Sequence, residues 1–447
     1  KDTMLSQIIK LVQDAQASRA PIQEIVDKVS AVFVPVVAAI AVATFVFWFG
    51  VGKGFEFALT NAMAVLIIAC PCALGLATPT AIMISTGLGA QNGVLFKNAR
   101  ALQNTREIKI IVFDKTGTLN KGKPVVTNVQ TTRGAAASEK QLQQLLEIAV
   151  SLEKKSEHPL AKAVNDYAKA KKISDRKTSA FKAITGKGVS ADIAGKTFFI
   201  GTRKLFTTIP QELEQAADKL EGEAKTVVFV GERTRVLGFI AIADELKESS
   251  REAVEALKKR GLRTVMITGD NKKTADAIAK KAGIEEVYAQ VLPQDKEEIV
   301  KKLQANSSGA KGGSNNKGST STGVKVGFVG DGINDAPALA AADVGIAVGT
   351  GTDVAIEAGD IVLVKGDVRD VVTAIEVSGF GFKKIRQNLF WAFAYNIIGV
   401  PIAAGVLYPF TGFLLDPAFA GAAMALSSVS VTANSALMKY FKPSFKK

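Results

Sequence analysis

The chain has 447 residues, more than one hydrophobic core organises, so two or more domains are expected. Apolar residues make up 47% beside 22% charged residues, a balance high in apolar residues for a purely soluble protein and one that fits apolar spans joined to charged soluble domains. The net charge of +14 invites a nucleic-acid reading, but no basic stripe with interleaved aromatics accompanies it. Basic residues at membrane edges and a lysine-rich surface account for the charge, and no nucleic-acid partner is expected.

In chain order, residues 1–28 open on "KDTMLSQIIKLVQDAQASRAPIQ", an amphipathic cytoplasmic lead-in helix already under way, so further sequence is expected upstream. No signal peptide is visible. A transmembrane hairpin is expected over 29–88: Val29–Gly50 has the length a helix needs to cross hydrocarbon, and Phe57–Leu88 follows after a short polar turn. The second span carries "IIACPCALGLATP", with both cysteines of the chain on either side of Pro71. On an unbroken helix, Cys70 and Cys72 would point about 200° apart. Pro71 lacks an N–H and crowds the carbonyl of Ile67, so it loosens the turn. A loosened turn inside a bundle could aim both thiols at one soft metal ion. The alternative is two small buried residues beside a packing kink. Residues two apart are poorly placed for an unstrained disulfide, so two separate thiols are expected.

Residues 89–124 form a stalk and the first part of a soluble domain, where "IKIIVFDKTGTLN" reads as a buried strand ending in a glycine turn. Residues 125–240 carry their own helix and β-like runs and are expected to form an inserted α/β domain. The second part of the soluble domain, 241–370, repeats the pattern of apolar strand and acidic glycine turn in "RTVMITGDN" and "VKVGFVGDGIND". Alternating strands and helices imply a doubly wound, Rossmann-type parallel sheet with its ligand site at the strands' carboxyl ends. Asn306–Gly323 is a low-complexity segment expected to be a flexible surface loop. A second stalk, 371–388, leads into a second hairpin over 389–438, with spans Leu389–Phe410 and Phe413–Met438, and a tail at 439–447. Two hairpins place both termini and the long middle on one side. Lys97, Arg100, Lys383, Lys384, Arg386, Lys439 and Lys442 flank that side and mark it cytoplasmic. The expectation is a multi-pass integral protein in contact with membrane lipid.

Asp114 directly follows a hydrophobic strand, which presents its carboxylate at the sheet's edge. Lys115, Thr116, Gly117 and Thr118 supply charge, hydroxyls and backbone N–H groups suited to phosphate. Further stations repeat the theme: Thr268, Gly269 and Asp270 at a helix start, Lys296 as a cation, and Asp331 with Asp335 as a carboxylate pair for Mg²⁺. One carboxylate nucleophile, one metal pair, one lysine and one hydroxyl constitute a phosphoryl-transfer site. Turns and helix caps are the ordinary alternative for each station taken singly.

These residues resemble the haloacid dehalogenase superfamily, and "DKTGT", "TGD" and "GDGIND" narrow the resemblance to the P-type ATPases. The resemblance implies a haloacid-dehalogenase-like phosphorylation domain with an inserted nucleotide-binding domain and a helical transmembrane bundle. It implies that ATP phosphorylates Asp114, with Asn334 in the same catalytic set. Mg²⁺ would be held by the Asp114 carboxylate, the Thr116 carbonyl and Asp331, with Asp335 in support. A membrane-anchored phosphatase of the same superfamily is the competing reading. Such enzymes usually place a second aspartate two residues after the nucleophile, where this chain has Thr116, which cannot activate water.

"SLEKKSEHPL" holds the chain's only histidine, His158, which by itself reads as a structural residue or surface cap. The stretch is similar to the Ser-Glu-His-Pro motif of heavy-metal P-type ATPases, whose histidine positions ATP. Gly186 and Gly188 match that family's Gly-x-Gly, implying close backbone approach to the nucleotide, and Glu153 sits at the adenine-side position. Thr202 stands where many relatives carry asparagine. In the last hairpin Tyr395 and Asn396 are polar within an apolar span, and Met424 and Ser428 lie four apart on one helical face. With Cys-Pro-Cys they resemble the copper-transporting subgroup, and Cys70, Cys72, Tyr395, Asn396, Met424 and Ser428 would line a Cu(I) path, with Ag(I) as a mimic. Zinc and cadmium carriers instead place a lysine and an aspartate in these spans. The resemblance further implies a cytosolic copper chaperone as donor, and an actuator domain and additional spans preceding Lys1, without which the chain is expected to be an incomplete pump.

Overall fold

The computed structural model describes residues 4–132, 134, 138–156, 158–306, 324–331, 335–349 and 357–445. The low-complexity stretch 307–323 and Asn334 lie outside them. In chain order the helices and strands are α1 (Met4–Ala17), α2 (Pro21–Gly50), α3 (Phe55–Ile68), α4 (Cys72–Gln91), β1 (Val94–Phe96), α5 (Ala99–Thr105), β2 (Ile108–Asp114) and β3 (Val125–Thr131). The inserted segment continues with α6 (Glu139–Glu153), α7 (Pro159–Ala170), β4 (Ser179–Ile184), β5 (Gly188–Ile193), β6 (Lys196–Gly201), α8 (Gln211–Gly222), β7 (Thr226–Glu232) and β8 (Arg235–Ala243). Then follow α9 (Glu248–Lys259), β9 (Arg263–Ile267), α10 (Lys272–Ala282), β10 (Glu286–Tyr288), α11 (Lys296–Asn306), β11 (Lys325–Gly330), α12 (Ala336–Ala341) and β12 (Val344–Val348). The chain closes with β13 (Ile361–Leu363), α13 (Arg369–Ala403), α14 (Tyr408–Thr411) and α15 (Pro417–Ala436).

Two units emerge: residues 1–107, 360–364 and 370–447 form one, and 108–359 with 365–369 the other. In the first unit α2, α3, α4, α13 and α15 pack through small residues, with Ala41, Ala64, Ala69, Ala403 and Ala420 in one buried cluster and Ala73, Ala77 and Ala392 in another. Large apolar side chains point outward instead: Val32, Phe47, Phe390, Ile397, Phe419 and Leu426 are exposed. This inside-out distribution suits a bundle whose surrounding solvent is hydrocarbon, where helices associate through small residues. Two helical stretches, Ile9–Gly50 and Phe55–Gln91, are long and apolar enough to cross a membrane. The expected spans in α13 and α15 do not reach that measure among the described residues, because Tyr395, Asn396 and a run of serines and threonines dilute them. A buried polar chain joins those two helices instead, with Lys384 donating to Asn434 (2.8 Å), Asn434 to Asn388 (2.7 Å) and Asn388 to Ser435 (2.8 Å).

The expected single span Phe57–Leu88 is not continuous. It is two helices, α3 and α4, separated at Ala69–Pro71. The first stalk is not one helix either: it contains β1, which pairs antiparallel with β13, and α5. The second stalk, by contrast, continues as one helix, α13, into the following expected span, and ends at Ala403, short of the expected Phe410.

In the second unit, β12, β11, β2, β9 and β10 lie in that order, all parallel. The inserted sheet is antiparallel, ordered β3-β8-β7-β6-β5-β4. It runs from Val125 to Ala243 against the expected 125–240. Its run "TVVFV" is continuously apolar because both faces are covered. Val228 and Val230 join the cluster containing Leu145, Ile148 and Leu152 of α6, whereas Val227 and Phe229 join Leu213 and Ala217 of α8.

Candidate functional site: a carboxylate–lysine cluster and a sulfur-lined cavity

Asp114 ends β2, the strand flanked by β11 and β9, so the loops after all three strands converge at one sheet edge. Its Oδ1 accepts from Lys296 Nζ (2.8 Å) and its Oδ2 from the Thr116 N–H (2.9 Å). The same ammonium donates to Asp335 Oδ1 (2.6 Å), so one lysine bridges two buried carboxylates. Burial, and next the charge of Asp335, push Asp114 up to about 6, against the pull of Lys296 and Lys115. Burial works to lower Lys296, but Asp114 and Asp335 outweigh it and push it up to about 12. Asp335 is likewise raised by burial.

The loop after Asp114 is shaped by Gly117, whose φ is +70° and whose absent side chain leaves room for Asp331: a Cβ there would lie 2.9 Å from Asp331 Oδ2. A Cβ on Gly330 would meet Asp335 Oδ2 at 2.4 Å. Both glycines therefore let carboxylates close in on the nucleophile. Asp335 Oδ2 is buried, has no hydrogen-bond partner among the described residues, and lies beside Asp114 and Asp331. That donor set, all hard oxygen, fits Mg²⁺.

On the other flank, Thr268 is buried and its Oγ1 accepts from the Asp270 N–H (3.1 Å), while its own N–H is held by Tyr288 O (3.0 Å). Asp270 Oδ2 receives Lys115 Nζ at 2.7 Å. Burial opposes the charge on Lys115, and Asp270 more than restores it. Gly269 leaves its neighbourhood open, with Val291 O as the nearest atom to a Cβ placed there.

Sequence reasoning missed Lys247. Its Nζ donates to Gly117 O and Gly366 O, both at 3.1 Å, and Ser250 Oγ donates to Leu119 O (2.8 Å). Together they pin the phosphate-type loop from behind. Burial lowers Lys247, with Asp367, Asp244 and Asp331 opposing. The signal was present as "DELK" immediately after β8, a charged cluster where the chain re-enters the parallel sheet.

In the inserted domain Glu153 is buried, its Oε2 has no hydrogen-bond partner among the described residues, and burial pushes it up to about 7 against a hydrogen bond from Ser156. His158 does act as a cap, its Nδ1 accepting from the Leu160 N–H at the start of α7 (3.2 Å). Its ring is surface-accessible, yet the surrounding protein and then the Lys115 charge lower its pKa. Gly188 has a further reason to be glycine: a Cβ would stand 2.1 Å from Ile200 O, because Gly188 and Gly201 are direct partners at the close-packed end of the antiparallel pair β5 and β6. Gly186 faces Leu292, whose Cδ2 would be 2.8 Å from a Cβ. Thr202 donates its N–H to Lys187 O (2.7 Å), a backbone bond indifferent to the side chain.

In the helical unit, the break at Ala69–Pro71 brings Cys70 and Cys72 together. They are joined as a disulfide, with Cα atoms 5.5 Å apart, which corrects the expectation of two separate thiols. Two residues apart is a poor spacing for a bridge, but in the unwound turn the Cα separation falls in the bridging range. Cys72 Sγ lies 4.0 Å from Met424 Sδ. Cys70, Tyr395, Asn396 and Met424 line one cavity. The serine on that cavity is Ser427, buried, and not Ser428. Of the two helical spacings, i+3 places the hydroxyl inward here and i+4 does not.

An aspartate ending a central parallel strand, with a threonine and an aspartate just past the neighbouring strand ends and a lysine and a further aspartate at helix starts, is the arrangement of a haloacid-dehalogenase-type site. The chain belongs to the haloacid dehalogenase-like hydrolases, whose family model matches residues 108–343. Its likeness extends beyond that domain. It is 48% identical to a "probable copper-transporting ATPase" of Synechocystis over 99% of this chain and 58% of that protein. It is 47% identical to a "probable copper-exporting P-type ATPase" of Archaeoglobus fulgidus over 99% of this chain and 52% of that protein. The crystal structure of a zinc-transporting PIB-type ATPase in an E2.Pi state superposes with a TM-score of 0.68 at 32% identity, covering 97% of this chain and 66% of that one. The chain thus spans little more than half the length of these two curated relatives.

Proposed function

We propose that this chain is the phosphorylating and metal-conducting portion of a P-type ATPase that exports Cu(I), with Ag(I) as a mimic. The observation that carries the reading is Lys296 clamped between Asp114 and Asp335, with Thr268 and Asp331 at the adjoining strand ends. Asp114 Oδ attacks the γ-phosphorus of ATP, the bond from that phosphorus to the β,γ-bridging oxygen breaks, and ADP leaves with the electron pair. Lys296 and the Thr268 hydroxyl receive the equatorial oxygens, and the loop N–H groups after Asp114 orient the nucleophile. Mg²⁺, held by Asp114, Asp331, Asp335 and the Thr116 carbonyl, supplies charge neutralisation when bound. Thr116 provides no acid or base to activate water, so the aspartyl phosphate persists as an energy store. Glu153 and His158 hold the adenosine end of the nucleotide.

Reduced, Cys70 and Cys72 offer two thiolates to one ion, with the Met424 thioether adjacent. This soft donor set favours monovalent copper over Zn²⁺. Tyr395 and Asn396 and a serine of α15 complete the path, and the close likeness to copper-transporting relatives agrees. We place the soluble domains and both ends on the cytoplasmic side of a multi-pass membrane protein, with lipid around α2 and α3 and a cytosolic copper chaperone as donor. The test is acid-quenched labelling of the intact membrane protein with γ-labelled ATP. An acid-stable, alkali-labile adduct is expected, lost in Asp114→Asn; rapid hydrolysis of small phosphate esters without an adduct would make the protein a phosphatase instead.

A further inference from the structure

The inserted domain is tied to the parallel-sheet domain by two chain crossings, near residues 120–125 and 243–247, and such a tether alone leaves a hinge. A polar seam joins the two away from those crossings. Arg203, in the turn after β6, donates to Asp218 Oδ1 (2.5 Å) and Glu221 Oε2 (2.6 Å) on α8. Glu221 is buried, and its other oxygen accepts from Asn271 Nδ2 (2.8 Å) on the parallel-sheet domain. Asn271 Oδ1 in turn caps α10 by accepting the Thr274 N–H (3.0 Å). Lys273, on the same helix, bonds Asp218 Oδ2 (2.5 Å).

The position of this seam gives it a role beyond holding two domains together. Asn271 directly follows Asp270, which grips Lys115 beside the nucleophile and also accepts from Thr226 Oγ1 at the start of β7 (3.2 Å). The turn carrying Thr268 and Asp270 is therefore fastened to the inserted domain through a buried carboxylate with partners on both sides. Charge-assisted bonds of this kind are short and directional. A nucleotide held in the inserted domain must bring its γ-phosphorus within about 3–3.5 Å of Asp114, and a misplacement of about 1 Å can cost roughly 100-fold.

We propose that Glu221, oriented by Arg203, is a positioning residue for phosphoryl transfer: through Asn271 it registers the inserted domain against the Thr268-Gly269-Asp270 turn. This rests on the phosphoryl-transfer reading above. Glu221 touches no reacting atom in this scheme; it acts on the alignment of donor and acceptor, and so on the rate from bound nucleotide, leaving nucleotide affinity and the intrinsic reactivity of Asp114 alone.

Two labelled phosphoryl donors separate these effects in the intact membrane protein: ATP, and acetyl phosphate, which has no nucleoside for the inserted domain to hold. In Glu221→Gln the rate of adduct formation at saturating ATP is expected to fall roughly 10- to 100-fold. Half-saturation by ATP should stay within about twofold, and labelling by acetyl phosphate should be unchanged. Lys273 is exposed, so Lys273→Glu, which sets a carboxylate against Asp218, should fold normally and show the same split more weakly, with Lys273→Arg restoring the wild-type rate. Equal loss with both donors, an altered ATP half-saturation at unchanged maximal rate, or no change in either Glu221→Gln or Lys273→Glu overturns the proposal. A wild-type protein labelled by neither donor overturns the phosphoryl-transfer reading itself.

Discussion

At the scale of single residues, the site works by keeping charged groups where water is scarce. Lys296 bridges two carboxylates at once, which holds Asp114 and Asp335 within reach of each other. Glu153 is the opposite case, since burial raises it to about 7 and the Ser156 bond only partly opposes this. Because its folded value lies above the ordinary 4.5, the folded state binds more protons between the two values, and stability falls as pH rises through that window. The cost is absent below pH about 4.5 and complete above about 7. Glu153→Gln is therefore expected to stabilise the nucleotide-free protein at pH 8 by about 2–3 kcal/mol, with no gain at pH 4.5. Thermal midpoints at the two pH values check this, and a gain of equal size at both would show that desolvation of the charge is not the cause. Asp114, Thr268 and Asp331 were legible in the sequence because each follows an apolar run directly, and Lys296 and Asp335 because each stands at a helix start. Lys247 was not, since its role depends on carbonyls of Gly117 and Gly366, far from it in the chain.

At the scale of elements, the decisive feature is a helix that stops. Pro71 cannot donate, α3 ends at Ile68 and α4 begins at Cys72, and the intervening turn lets two side chains share a direction that a helix denies them. The break itself could be anticipated from proline chemistry. The Cys70–Cys72 bridge was not anticipated, because a spacing of two residues is a poor one for an unstrained disulfide. Pro71→Ala should let α3 run into α4 and turn the thiols apart. Under reductant, Cu(I) affinity measured by chelator competition is expected to fall at least about tenfold, with wild-type binding lost on oxidation. Unchanged affinity would mean that the break is not what aligns the ligands. The same limit explains Ser427: a helical face admits both i+3 and i+4 neighbours of Met424, and only packing against α4 and α13 selects between them.

At the scale of the whole molecule, the proposed activity requires the occupancy of a sulfur cavity and the state of Asp114 to bias one equilibrium. Adduct formation in the intact protein should accordingly rise with Cu(I) or Ag(I) under reductant and be insensitive to Zn²⁺, as scored by acid-quenched labelling; equal stimulation by Zn²⁺ would defeat the copper assignment. The amino-acid sequence by itself determined the alternation of strand and helix, the inserted domain, the two long apolar helical stretches and the order of the acidic glycine turns. All of these follow from local periodicity and from which residue comes next. The tertiary structure decided which stations meet: β2 lies between β9 and β11, Lys296 is shared by two carboxylates, Gly188 pairs closely with Gly201, and Glu221 is buried against Asn271. Those facts depend on groups brought together across long stretches of chain, where burial and charge act through space and leave no periodic trace in the order of residues.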